Sequence, residues 1–353
     1  MDKNLYIDFH VLQTVPPSCV NRDDTGSPKT AVYGGVTRAR VSSQSWKHAM
    51  RKRFLEIFSE EQVGKRTKYA VQMIAEEIRA LGKTEKAEKM AETALANAGI
   101  KIKNAEKGLD VLLFMSKEQA RELARLIAEG NENKKEYKDA LAKAPSVDMV
   151  LFGRMVAADP SLNYDAAAQV AHAISTHRIQ NEYDYFTAVD DCKEEESAGA
   201  GHLGDVEFNS ATLYRYATVN VKEVVKHLGK ETPAVIRGFA DAFLYSMPEG
   251  RQNTFANRTV PDDVYVAIRT DQPVNLSGAF EKAVVEKEGY VAESEKCFRL
   301  YAKQVYQYYV GEPVTAFATG SAMKEMAPVM PLKELLDKLE RWVEEQLSDC
   351  EVV

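Results

Sequence analysis

The sequence predicts an α+β protein, an antiparallel sheet with helices on one face. Three observations carry this. Period-two patterning marks a stretch near the N-terminus and another at 206–221, VEFNSATLYRYATVNV. Helical period fills the region from about 62 to 144, where Ala, Glu and Lys dominate. Around these blocks strands and helices interleave without the regular βαβ rhythm of a doubly wound fold.

Bulk properties narrow the function classes. The 353 residues are 45% hydrophobic and 28% charged, as in ordinary globular chains. No apolar run approaches the roughly 20 residues that span a bilayer, so no membrane role is expected. The opening MDKNLYIDFHV is a polar start followed by alternation, not a signal peptide. Cys19, Cys192, Cys297 and Cys350 form no CxxC pair, which fits a reducing cytoplasm and argues against a cysteine zinc site. His172 and His177 lack a convincing third ligand, so no metal or cofactor is expected.

Leu5 to Thr14 places Leu5, Ile7, Phe9 and Val11 on one face and Tyr6, Asp8, His10 and Leu12 on the other, a half-buried strand that Pro16 and Pro17 should end. Turn formers fill CVNRDDTGSPKT. Ala31 to Tyr33 pairs briefly before Gly34-Gly35, and Thr37 to Ser42 is the next extended piece. Ser42 or Ser43 is the N-cap of a helix from about Gln44 to Phe58, since its hydroxyl can satisfy an orphan amide. Trp46, Ala49, Met50, Phe54 and Ile57 share the buried face of that helix. Gln44, Lys47, His48 and Arg51 share another, while Arg53 falls on the apolar side and needs a partner.

Four amphipathic segments then form an inserted helical lobe: YAVQMIAEEIRAL, EKAEKMAETALANAG, SKEQARELARLIAEG and NKKEYKDALAKA. One strand is expected within KNAEKGLDVLLFMS. The last helix carries Lys134, Lys135, Lys138 and Lys143, a solvated face or a second polyanion surface. Beyond Pro145, VDMVLFG is β-like and SLNYDAAAQVAHAI suggests a short helix. CKEEESAGAGHLGD, charged and then Gly-rich, is expected to be a mobile excursion at the tip of a long hairpin. After the strand at 206–221 come helices KEVVKHL and TPAVIRGFADAFLYS, the polar loop MPEGRQNTFANR and strand VYVAIRT. Helices SGAFEKAVV, ESEKCFRLYAKQVYQYYV and LKELLDKLERWVEEQL complete the chain.

Charge singles out one stretch. Thr25 to Leu55 holds seven Lys or Arg and no acidic residue, in a chain of formal net charge −7. Such a local reversal of sign is the footprint of a polyanion site. Helix N-terminal amides and the Gln44–Lys47–Arg51 row point the same way, which suits phosphate. The stretch shows no cluster of exposed aromatics, so it suits a nucleic-acid backbone better than stacked bases.

Three collinear blocks carry a family resemblance. IDFHVLQTVPPSCVNRDDTGSPKTAVYGG, followed by RARVSSQSWKHAMRK, resembles the start of the CasC-type backbone subunit of the type I-E CRISPR surveillance complex, Cascade. GDVEFNSATLYRYATVNV and EGRQNTFANRT resemble later blocks of that family. The resemblance implies a hand-shaped subunit. Its palm is a modified RNA-recognition-motif (ferredoxin-like) sheet from 1–58, 146–189 and 208–353. Its helical fingers are 59–145, and its β-hairpin thumb is 190–207. Several copies would stack along the spacer of a CRISPR RNA, each thumb kinking the guide, and present the other bases to target DNA. The implied partners are CRISPR RNA, target DNA, copies of itself and other Cascade subunits. No catalysis is implied.

A carrier of any spacer should grip phosphate and sugar rather than base edges. Arg22, Arg38, Arg40, Lys47 and Arg51 supply charge, with Ser42, Ser43 and Gln44 as donors. Arg251, Gln252 and Asn253 would add contacts from a second loop. Leu203 and Val206 are the apolar thumb residues that wedge between bases, and Lys134, Lys135, Lys138 and Lys143 would meet the DNA. Two rivals remain. Asp23 and Asp24 can hold Mg²⁺ for a divalent-metal ribonuclease, unless that loop is stapled by its own Asx turns. Alternatively, the basic stretch meets an acidic protein.

Overall fold

The computed structural model describes residues 4–100, 109, 112–156, 159–188 and 202–351. Its axis is strand β1 (Tyr6–Ser18), followed by the hairpin β2 (Thr30–Tyr33) and β3 (Val36–Val41), then helix α1 (Ser43–Ile57). The helical lobe comprises β4 (Lys65–Thr67), α2 (Ala70–Ala80), α3 (Ala87–Asn97), β5 (Leu113–Met115), α4 (Lys117–Ala128) and α5 (Lys134–Ala142). The chain continues through α6 (Val147–Phe152), β6 (Ala168–Val170), β7 (Ala173–Ser175), β8 (Glu182–Ala188) and β9 (His202–Asn220). It closes with α7 (Val221–Leu228), α8 (Thr232–Tyr245), α9 (Gln252–Phe255), β10 (Asp263–Arg269), α10 (Val291–Val305), β11 (Thr315–Thr319) and α11 (Leu332–Glu351).

The main sheet runs β11-β10-β1-β9-β7-β3-β2, with β6 and β8 pairing other parts of the long β9. Every named pairing is antiparallel. One face buries Ile7, Phe9 and Val11 against α8, where Phe9 lies 5.6 Å from Phe239 and 6.1 Å from Phe243. The opposite face is covered as well. Tyr214, Tyr216 and Tyr265 pack there with Phe298 of α10, and the His10 ring lies 5.5 Å from Phe298. The expectation of helices on one face, with β1 half-buried, is therefore corrected. Alternation of apolar with His and Tyr looks amphipathic, but these rings bury apolar surface once their polar ends are bonded. Tyr216 donates to Asp8 Oδ1 at 2.8 Å, and the Tyr214 hydroxyl lies 2.9 Å from His10 Nδ1.

Other departures have local causes. β1 runs on through Pro16 and Pro17 with a register shift between Val15 and Ser18. Its ladder to β10 stops at Leu12, so the missing N–H groups leave no gap on that side. VDMVLF is a helix rather than β-like: it is buried all round, which erases helical periodicity. The expected helix at 161–174 is instead the end of a 3₁₀ turn at Pro160–Leu162, a loop, and the short strands β6 and β7, held by pairing to β9. SGAFEKAVV contains a 3₁₀ turn at Leu276–Phe280, and β11 was not foreseen.

The four lobe helices enclose a core of their own, with Ile74, Ile78, Leu95, Leu123, Tyr137 and Leu141 fully buried. The β4–β5 ribbon stands at its base. The hairpin of β8 and β9 pairs from Glu182↔Phe208 to Ala188↔His202. The tip of the expected thumb, 189–201, lies outside the described residues.

Candidate nucleic-acid interface

Helix α1 is built as its sequence demands. Ser42 caps it, its hydroxyl accepting from the Ser45 amide at 3.3 Å. Trp46, Ala49, Met50 and Phe54 are buried. Arg53 finds Asp241 at 2.9 Å and Glu56 at 2.5 Å. No acidic residue occupies the first turn, so the positive end of the helix dipole is uncompensated. Gln44 and His48 are exposed on the outer face, with Ser43 and Lys47 half-buried beside them.

Two loops far apart in sequence meet at one side of this helix. The Asn21 side chain accepts from the Ser42 amide at 2.9 Å, tying the 20–26 loop to the N-cap. Gly250 lies so close that a Cβ there would stand 2.1 Å from the Val20 carbonyl oxygen. Lys52 pairs with Glu249 at 2.5 Å, joining α1 to the second loop. The Lys52 ammonium holds the Glu249 carboxyl below its ordinary range. Between them lies a cleft of about 630 Å³ lined by Arg22, Asp24, Ser45, His48, Lys52 and Glu249. Sequence reasoning singled out these stretches separately, and the fold brings them together.

The predicted cations divide into two groups. Arg22 is exposed, and no described carboxylate pairs with it. Lys47 is also without an acid; burial, then the nearby Arg66 charge, lower its proton affinity. Arg38, by contrast, is fully buried. Its guanidinium donates to the carbonyls of Tyr33, Ser175, Phe280 and Glu281 at 2.9–3.3 Å. Arg38 is thus a fixture of the fold rather than a free cation, and the expectation for it is corrected. Arg40 donates to the Thr30 carbonyl at 3.0 Å and contacts His172 Nδ1 at 3.1 Å. Arg51 is neutralised by the buried Asp148 at 2.8 Å. Ser42, 5% exposed, is occupied as the cap.

In the second loop Arg251 is half-buried with φ +48°, and it opens the single turn of α9, where Gln252 is half-buried and Asn253 exposed. On the hairpin, Val206 is 6% exposed, so the wedge expected of it is corrected. The side chain of Leu203 lies outside the described residues. Sequence reasoning missed Tyr183, Tyr185 and Phe186, which are exposed on β8. Their run EYDYF lies in the first arm of the long hairpin that the sequence predicts. In the lobe, Lys138 is paired to Asp159 at 2.6 Å, while Lys134, Lys135 and Lys143 are exposed.

The 20–26 loop is stapled by Asp23. Its Oδ1 accepts from the Thr25 amide, the Thr25 hydroxyl and the Ser27 amide at 2.7–3.0 Å, which hold the carboxyl below its ordinary range. Among the described residues no cluster of three or more His, Cys, Asp or Glu has the geometry to hold a metal ion. His177 stacks on Tyr290 at 3.6 Å, and its Nε2 accepts from the Thr212 amide.

The antiparallel sheet, packed on both faces, and the inserted helical lobe define the class as a mixed α+β protein. Comparison with known proteins gives the particular family. The model of the CT1975-like protein family matches residues 7–344, so the chain belongs to that family. A solved chain described as "CRISPR RNA-guided surveillance complex, pre-nicking" is 31% identical, with 95% of this chain and 99% of that chain covered at a TM-score of 0.78. A second, "CRISPR RNA-guided surveillance complex", is 28% identical over 96% and 99%, with a TM-score of 0.64. No curated protein sequence gives a significant match. The CasC-type Cascade likeness carried by the three sequence blocks is borne out.

Proposed function

We propose that the chain is a guide carrier: a non-catalytic subunit that holds the backbone of a CRISPR RNA, stacks with copies of itself along the spacer, and leaves bases free for target DNA. The observation that carries this is the unneutralised edge of α1. Arg22, Gln44, Lys47 and His48 surround a helix N-terminus with no acid in its first turn, beside a cleft closed by the Asn21–Asp24 and 248–253 loops. A sequence-blind grip needs this combination of charge and amide donors. The likeness to chains of RNA-guided surveillance complexes supplies the polymer.

The strand order supports a modified RNA-recognition-motif palm. In the order β10-β1-β9-β7, α1 follows the first strand and α8 the third, as in a ferredoxin-like core. An ordinary RNA-recognition motif stacks bases on its open sheet face. Here α10 covers that face, which favours binding at the loops and α1. The β8–β9 hairpin suits the thumb, with Tyr185 and Phe186 in the wedging role. The lobe of α2–α5 suits the fingers, with Lys134, Lys135 and Lys143 toward DNA.

Purification with partner subunits and a CRISPR array tests this. A bound RNA of defined length is expected. Lys47→Ala combined with Arg22→Ala should lower its retention and flatten the salt dependence. Unchanged retention would sink the assignment. Labelled RNA incubated with Mg²⁺ should stay intact, and cleavage lost in Asp24→Ala would instead favour the nuclease reading.

A further inference from the structure

The helical lobe has a core separate from that of the main sheet, so its attachment has to be built. The chain crosses between the two at 58–64 and 143–146. The crossings run side by side, where the Val147 amide donates to the Gln62 carbonyl at 2.9 Å. Fully buried Asp148 clasps them, its Oδ1 accepting from the Gly64 amide and the Ser146 hydroxyl, each at 2.8 Å. Its Oδ2 accepts from Arg51 of α1 at 2.8 Å. A clasp on the linkers fixes where the lobe starts, but not the direction in which it leans.

A second point of attachment lies at Arg154. It follows α6, whose Val147, Val150 and Leu151 belong to the main core, and it is 4% exposed. Its guanidinium reaches into the lobe. Nη1 donates to the Phe114 carbonyl of β5 at 3.3 Å and to Gln119 Oε1 of α4 at 3.2 Å. Nη2 donates to the Leu141 carbonyl of α5 at 2.8 Å. Nε and Nη2 both donate to the Leu162 carbonyl, at 2.9 and 2.7 Å. No described carboxylate pairs with this cation, and burial pushes its proton affinity down to about 10. Burying an uncompensated charge is costly, and an apolar side chain would fill the place without that cost. What the guanidinium adds is geometry: a rigid fork of five donors that ties four segments at once.

We propose that Arg154 is the positioning residue of the helical lobe: it locks the angle at which α2–α5 stand on the main sheet, and without it the lobe pivots as an intact body about the Asp148 clasp. The lock extends to the linker. Gln119, which accepts from Arg154, donates through Nε2 to the Leu141 and Lys143 carbonyls at 2.8 Å each. Next to Lys143, Ala144 is held at φ +48°, a conformation that side chains with a Cβ rarely adopt. The Ser116 hydroxyl pins its carbonyl there at 2.8 Å. Releasing Gln119 therefore leaves a strained linker free to relax. In a guide carrier the lock also sets where each copy holds Lys134, Lys135 and Lys143; that consequence rests on the guide-carrier reading, and the lock does not.

The test measures the lobe angle in the full chain. Spin-labelled non-natural residues replace exposed Lys135 of α5 and Lys333 of α11, a pair that spans the joint. A second pair, at Lys135 and Lys89 of α3, stays within the lobe. Arg154→Met should broaden the distance distribution across the joint about two-fold or more and leave the distribution within the lobe unchanged. Arg154→Lys keeps the charge but cannot bridge four segments, so it should broaden the first distribution as well. A distribution across the joint as narrow as in the wild type overturns the lock. Equal broadening of both distributions also overturns it, because Arg154 would then merely stabilise the lobe core. Should Arg154→Met fail to fold by thermal unfolding, Arg154→Lys decides by the same criteria. A purified wild-type complex without RNA overturns the guide-carrier reading and leaves these distances as the test of the joint.

Discussion

Strand β3 and helix α1 are neighbours in sequence and both are basic, yet they turn their charge in opposite directions. In β3, Arg38 points into the protein and satisfies four backbone carbonyls, while Arg40 is bound to Thr30 and His172. In α1, His48 is exposed and Lys47 half-buried, and neither has an ion pair among the described residues. A strand alternates its side chains, so every second residue is committed to the interior. A helix can carry a whole row of cations on one face. Net charge in a window therefore overstates a binding surface wherever the window includes a strand.

The contrast breaks most sharply at Arg38. Arg38→Ala leaves four carbonyls short of a charged donor in a fully buried site, and a loss of at least about 3 kcal/mol of stability is expected. Denaturant unfolding measures it. A loss below about 1 kcal/mol would mean that the guanidinium is not structural. Arg51 comes next, because it belongs to both groups. Removing it strands the buried Asp148 charge, so Arg51→Ala should destabilise the chain by about 3 kcal/mol. Any fall in RNA retention by that variant reports folding as much as contact. Lys47→Ala, with no such partner, is the cleaner probe, and its stability should change by no more than about 0.5 kcal/mol.

Much of this division was legible and some was not. The cap at Ser42 and the apolar stripe Trp46–Met50–Phe54 follow from local rules, and so does the period of the four lobe helices. The fate of Arg38 does not, because its partners at Ser175 and Phe280 come from distant sequence. The covered second face of the sheet was hidden for a related reason. Asp8, His10, Tyr214 and Tyr216 count as polar in a periodicity, yet they bond to one another and are buried. Arg154 was illegible because only the fold brings its partners in β5, α4 and α5 to the end of α6.

The buried pair on β1 extends the contrast to pH. Burial pushes the Asp8 carboxyl up to about 6. Between about pH 4 and 6 the native state therefore binds more protons than the unfolded chain, and the Asp8 contribution falls as pH rises. Burial also pushes His10 down to about 3. Between about 3 and 6.5 the unfolded chain binds more protons there, and the His10 contribution rises with pH. The two slopes oppose each other where they overlap. Asp8→Asn removes one of them, so stability should fall more steeply on acidification from pH 6 to 4, by up to about 1.4 kcal/mol per pH unit. Denaturant midpoints at several pH values check this, and parallel curves for variant and wild type would rule it out.

The smallest expected effect lies at the Lys52–Glu249 pair, which closes the loop side of α1. Both side chains are more than half exposed, so Glu249→Gln should change stability by less than about 1 kcal/mol. Its consequence is electrostatic. Lys52 lines the cleft beside His48, and releasing it adds an unpaired cation facing the 20–26 loop. If RNA backbone follows that cleft, Glu249→Gln should tighten binding and steepen the log–log salt slope by up to about 0.7 per copy. An unchanged slope, with Lys47→Ala still impaired, would confine the backbone to the lobe side of α1. The basic helix would then have one working edge, with the loop cleft serving to hold its N-terminus in place.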